Sequence, residues 1–135
     1  MLLHRAPGDD FPGICPYHGD CLEGLCCGPA IGARYGIPAA EIPADDPAWR
    51  YTAYYIAQAV MNLILTVSPE RVILGGGVMG QPQLLPMIRR ETERLLNGYL
   101  KASQLQDMDS YIMEPGCGGD QGILGALELA AGVCK

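Results

Sequence analysis

Cys15, His18 and Cys21 stand at positions i, i+3 and i+6 in the stretch CPYHGDC. Two thiolates and an imidazole suit tetrahedral zinc, and Pro16 and Gly19 let a short loop wrap around an ion. Three donors are one short of a structural set. His4 is the other histidine of the chain, and Asp9, Asp10 and Asp20 are harder alternatives. The same residues also read as two unligated cysteines beside a surface histidine, and spacing by itself leaves both readings open.

A second pattern, RVILGGGVMG, is a short apolar run feeding glycines ahead of a helix. Glycines there let backbone N–H groups approach an anion, and the following helix start favours negative charge. Gly75, Gly77 and Gly80 satisfy G-x-G-x-x-G, but the acidic residue ending a second strand about twenty positions on is missing, as Glu114 lies much further along. A tight turn packed closely on its neighbour is the plainer reading. Glu23, directly after the cysteines, is either a first-turn carboxylate complementing a helix dipole or an acceptor for ligand hydroxyls.

These residues need elements to hold them. The first 25 residues show no helical or strand period, and so long a loop needs a reason such as a bound metal. A helix is expected from Leu22 to about Arg34, with Pro29 at a kink or near its start and Gly36 as a left-handed cap. Asp46 with Pro47 should start another, whose apolar stripe is Trp49, Ala53, Ile56, Ala57, Val60, Ile64 and Val67, stopping at Ser68-Pro69. Arg71 to Leu74 reads as a buried strand. A helix from about Pro82 to Tyr99 follows, then a strand from Ser110 to Met113, a turn over Gly116 to Gly119, a cap at Asp120 and a last helix from Ile123 to Val133. The order is α/β. Two strands are too few for an independent sheet, so the sheet is expected to be incomplete in this chain.

Composition narrows the functional class. At 135 residues with 49% hydrophobic and 18% charged residues, this is one globular domain's worth of chain. A formal charge of −6 argues against a nucleic-acid surface. No apolar run is long enough to span a membrane or act as a signal peptide, so a cytoplasmic protein with reduced thiols is expected. Adjacent Cys26 and Cys27 read as small buried residues rather than a strained ring.

The blocks CPYHGDCLEGLCCGPAIGARYG, YYIAQAVMNLILTVSPERVILGGGVM and GILGALELA closely resemble the bacterial fructokinases of the ROK family (repressor, open reading frame, kinase). The resemblance covers nearly the whole chain and is most specific in the first block. It implies an actin-like, ribonuclease-H-like ATPase fold, of which residues 1–25 are a zinc-binding loop and residues 26–135 the C-terminal lobe. It further implies Mg²⁺ with ATP as phosphoryl donor and a hexose, fructose first, as acceptor. By the same resemblance Cys15, His18 and Cys21 hold structural Zn²⁺, Glu23 contacts sugar hydroxyls, and Pro29, Gly75, Gly76, Gly77, Val78 and Met79 contact the nucleotide. A homodimer is implied for the complete kinase.

The departures from the family pattern are as informative. Its N-terminal lobe would precede Met1, with the Asp-x-Gly-Gly-Thr phosphate loop, the aspartate base and a Glu-x-Gly-His segment. Met1 is therefore read as an internal methionine of a longer gene, with no catalytic base in this chain. His4 is then the substitute fourth zinc ligand if the upstream histidine is absent. Cys26-Cys27 stand where relatives carry Ala-Ser, and Cys117 where they carry leucine. A small zinc-stabilised interaction module would account for the cysteines but not for Glu23 and the glycine run. A sugar-responsive regulator would need a winged helix-turn-helix.

Overall fold

The computed structural model describes residue 1 and residues 3–133. The longest element, α3 (Trp49–Val67), turns Trp49, Ala53, Ala57, Val60 and Ile64 into one buried stripe. Its start lies beyond the expected Asp46-Pro47 cap. The Asp46 carboxylate accepts the Ala48 N–H at 2.7 Å, closing a turn ahead of the helix. A short polar side chain here competes with helical bonding rather than opening it. Ser68 ends α3 in the left-handed region, φ 45°, and Val67 is exposed rather than on the buried stripe.

Helix α4 (Leu84–Leu96) packs against α3 through Leu84, Leu85, Ile88 and Leu96. It is shorter than the expected span because Asn97 (φ 45°) and Gly98 (φ 70°) turn the chain out of the helix. Tyr99 therefore leaves the apolar face and is 80% exposed.

Strand β1 is only Val72–Ile73, paired in parallel with β2, Ile112–Met113, with Val72 opposite Ile112. Parallel pairing requires a crossover, which α4 supplies. The expected strand from Ser110 begins late. The Asp107 carboxylate accepts the N–H groups of Asp109 (3.0 Å) and Ser110 (3.3 Å), which winds Met108–Tyr111 into a helical turn, α5. The sheet of the described residues thus has two strands.

The helix expected from Leu22 to Arg34 is two helices, α1 (Leu22–Cys26) and α2 (Gly28–Tyr35). Cys27 between them is extended (φ −71°, ψ 158°), Pro29 sits in the first turn of α2, and Gly36 is its left-handed cap. Helix α6 (Gln121–Val133) opens at Gln121 rather than Ile123. Every side chain from 121 to 132 is exposed, including Ile123, Leu124, Leu127 and Leu129. Among the described residues no helix is long and apolar enough to cross a membrane.

The N-terminal segment lies along α3 and is held there by side chains. Buried Gln58 donates to the His4 carbonyl (2.8 Å) and accepts the His4 N–H (2.9 Å). The Tyr55 hydroxyl accepts the Ala6 N–H at 3.0 Å and donates to the Asp9 carboxylate at 2.5 Å. Arg34 reaches from α2 to pair with the same carboxylate at 2.5 Å, both side chains nearly buried at 6% and 4% exposure. Its guanidinium carbon lies 4.6 Å from the Phe11 ring centre, 5.4 Å from Tyr51 and 5.9 Å from Tyr55. Three aromatic faces around one cation add to the ion pair.

Burial alone would raise the Asp9 pKa, but bonds from Arg34, Tyr55 and the Phe11 amide outweigh it and hold the carboxyl below its ordinary value. A depressed folded-state pKa contributes stability above the unfolded value, and that stability is lost as pH falls through the folded one. Asp9→Asn should therefore lower unfolding free energy at neutral pH by about 3 kcal/mol, as for a broken buried pair. The gap between parent and variant should narrow below about pH 4, where an unfolded carboxyl protonates. Denaturant unfolding at pH 7, 4 and 3 reads this directly, and a gap independent of pH would contradict it.

Candidate functional site

The Cys15–Cys21 loop is a hairpin-like closure. The Cys15 N–H donates to the Gly19 carbonyl at 3.1 Å and the Gly19 N–H returns to the Cys15 carbonyl at 2.9 Å. Between them Pro16, Tyr17 and His18 turn the chain so that His18 Nδ1 lies 3.8 Å from Cys15 Sγ. The donor atoms of Cys15, His18 and Cys21 all lie within 4.8 Å of one another. Thiolates around one tetrahedral ion sit a little under 4 Å apart, given metal–sulfur bonds of about 2.3 Å. The three residues could hold a metal ion. His4 is outside this group: its backbone is bound to Gln58 and its side chain is exposed.

The electrostatics favour metal binding. Amides of Tyr17 and His18 point at Cys15 Sγ, and with weaker help from His18 and Cys21 they outweigh burial and lower its pKa to about 7. Cys26 goes the other way, pushed up to about 12 by burial in the apolar cluster with Leu25 and Tyr55. Cys27 is only half-buried. The cysteines of the described residues are all free thiols.

Gly24, which the sequence reading passed over, decides how the loop docks. A Cβ at this position would lie 1.9 Å from the Gly19 carbonyl oxygen and 2.9 Å from Cys15 Cβ. Glycine within a helix costs roughly 1 kcal/mol relative to alanine. Here that cost permits the cysteine loop to lie directly on α1, where the Ile14 N–H donates to the Gly24 carbonyl at 3.0 Å. A glycine just after the cysteines, inside a helical pattern, was the available signal. Glu23 is in the first turn of the same helix, exposed and without a side-chain partner among the described residues.

Following β1, the glycine run turns sharply. Gly76 has φ 105° and ψ 172°, a region open essentially to glycine alone. At Gly75 a Cβ would meet Pro115 Cγ at 2.9 Å. Gly77–Gly80 then form a short 3-10 turn. This turn and the segment from Glu114 to Gln121 enclose a cleft of about 320 Å³. Gly75, Gly76 and Met79 line it, whereas Gly77 and Val78 do not. Gly80 and Glu114, with Gly118 and Gly119 of the expected turn, also line it, as does Gln121, which was not singled out from sequence. Gln121 begins α6, so the positive end of that helix opens onto the cleft. Pro29 is exposed at the start of α2 and is not among the lining residues.

Comparison with known proteins places these features in context. A family model described as the ROK family matches residues 4–133. Over its full length the chain is 49% identical to a fructokinase of Pediococcus pentosaceus, covering 46% of that protein. A putative fructokinase of Bacillus subtilis is 46% identical over 96% of this chain and 44% of its own length. A fructokinase of Zymomonas mobilis is 41% identical over 93% of the chain and 42% of its own length. The chain thus spans under half the length of the curated relatives it matches.

Thiol chemistry tests the electrostatics of the site. In metal-free, folded protein at pH 7.5, Cys15 should be alkylated by iodoacetamide far faster than Cys26, because the thiolate is the reactive form. Peptide mapping of a time course gives the order. Comparable rates at the two positions would mean that the loop amides do not face Cys15.

Proposed function

Because the chain belongs to the ROK family, we propose that it forms the C-terminal part of an ATP-dependent hexose kinase, with fructose as acceptor and fructose 6-phosphate as product. The observation that carries this reading is the match, along the whole chain, to proteins named fructokinase. The geometry of the site is compatible with it. The zinc loop ahead of Leu22 is braced on α1, and α1 presents the Glu23 carboxylate to solvent, where it accepts hydrogen bonds from sugar hydroxyls. The cleft beside Gly75, Gly76 and Met79 receives the nucleotide.

Cys15, His18 and Cys21 hold the zinc, whose contribution is structural: it fixes the loop that seats α1. Soft donors within reach of one ion and a Cys15 thiol poised near neutrality support that assignment. Phosphoryl transfer depends on positioning and on stabilising charge. Glu23 orients the acceptor, and loop amides beside the glycine turn face the phosphates. Magnesium accompanying ATP supplies the remaining charge compensation. The proton of the attacking hydroxyl goes to a carboxylate outside this chain. Helix α6, with Ile123, Leu124, Leu127 and Leu129 in solvent, and the two-stranded sheet support a reading in which further polypeptide covers this face.

Four expected outcomes test the proposal. Metal analysis of protein purified without chelators should find one zinc per chain, lost in Cys21→Ser together with protection of residues 1–25 from proteolysis. The 135-residue chain should show no fructokinase turnover until the preceding half of a family member is co-expressed. Leu124→Glu with Leu127→Glu should weaken that complementation. Gly76 is a poor probe of the nucleotide cleft, since its positive φ makes any substitution a folding lesion. Gly80 lines the cleft without positive φ, and a Cβ there meets nothing within 4 Å. Gly80→Val in the complemented enzyme should raise the KM for ATP at least about tenfold, a loss of about 1.4 kcal/mol, leaving that for fructose unchanged. Unchanged ATP kinetics in a folded variant would move the nucleotide elsewhere.

A further inference from the structure

Between the N-terminal segment, the start of α3 and the outer face of α4 lies a cavity of about 450 Å³, separate from the glycine cleft and the metal loop. Three of the chain's seven arginines, Arg50, Arg90 and Arg94, line it, although the chain carries a net charge of −6. Against them stands one carboxylate, Glu91, so three positive charges face one negative.

Arg94 suits its place in the last turn of α4, paired with Glu91, but two features of the set run against a helix surface's own preferences. Arg90 and Arg94 repeat at i and i+4 on α4, where like charges repel. Arg50 occupies the first turn of α3, beside the positive end of the helix dipole. The side chains are also incompletely used. Arg94 grips Glu91 through Nε (2.9 Å) and Nη2 (2.5 Å), leaving Nη1 free of that pair. Arg50 donates Nη2 to the Tyr51 hydroxyl at 3.0 Å and lies over that ring, 4.7 Å from its centre. Arg90 has no side-chain partner among the described residues. The opposite wall, with Ala6 and Tyr54, is largely apolar or aromatic.

We propose that this cavity is a binding site for a small phosphate monoester. Guanidinium forks match phosphate oxygens two at a time, and three of them converging exceed what one carboxylate balances. The Tyr54 side supplies a surface for the carbon skeleton that carries the phosphate. The site is distinct from the acceptor and donor sites proposed above.

Calorimetric titration of the intact 135-residue chain with fructose 6-phosphate, AMP and inorganic phosphate separates a sugar ester, a nucleotide and the bare anion. At least one ester should bind more tightly than inorganic phosphate, with affinity falling as ionic strength rises. Arg90→Ala with Arg94→Ala should weaken that ester at least about tenfold, as for loss of charge-assisted bonds. Zinc content and far-UV circular dichroism establish that the variant is folded, and Arg50→Gln provides a second, milder substitution. No ester binding by folded chain, or equal affinity in the double variant, would overturn the proposal whatever becomes of the kinase reading.

Discussion

Arg34 reaches from α2 across a gap between elements to Asp9, and that one guanidinium holds the N-terminal segment, the second helix and the long α3 in fixed relation. The segment places Ala6 in the buried cluster of Leu25, Cys26 and Tyr55, with Leu3 and Phe11 packed against it. Polar contacts fix it further: Gln58 on His4, Tyr55 on Ala6 and Asp9, and Tyr51 on the Gly8 carbonyl at 3.1 Å. A charge pair removed from water stabilises little on balance, but losing one partner strands the other. The aromatic faces of Phe11, Tyr51 and Tyr55 make Arg34 a tolerable burial.

The loop itself illustrates how a site is positioned by an absence of atoms. Gly24 removes the one Cβ that would hold Cys15 and Gly19 away from α1. The three donor side chains therefore converge against a helix start rather than in free loop, and Glu23 emerges one residue from the contact. The Cys15, His18 and Cys21 donors and the Glu23 carboxylate are coupled by that proximity. Disturbing the loop disturbs the carboxylate.

The hydrophobic core is unevenly distributed. Helices α3 and α4 with β1 and β2 bury Trp49, Ile64, Leu84, Ile88 and Ile112 almost completely. Helix α6, as apolar as any of them, buries none of its described side chains. Apolar helices stay in water only at a free-energy cost that burial elsewhere removes. The two-stranded sheet presents the same imbalance in backbone form, since each strand keeps one unpaired edge. Both features fit a chain that spans under half the length of its relatives.

The sequence by itself determined the local chemistry: donor spacing at Cys15, His18 and Cys21, the glycine run after an apolar strand, and the buried stripe from Trp49 to Ile64. Those signals are periodic or contiguous, and periodicity survives without knowledge of neighbours. Boundaries were decided by competition that only the fold resolves. Asp107 took the amides of Asp109 and Ser110 and shortened a strand, and Asp46 made a turn where a cap was expected. Tertiary structure alone paired the His4 backbone with Gln58. It alone gathered Arg50, Arg90 and Arg94 around one cavity. Both outcomes depend on contacts between residues some 40 to 54 positions apart, as in the His4–Gln58 pair at |i−j| = 54. No local spacing rule reaches that far, because only the packing of α4 and the N-terminal segment against α3 brings such residues together.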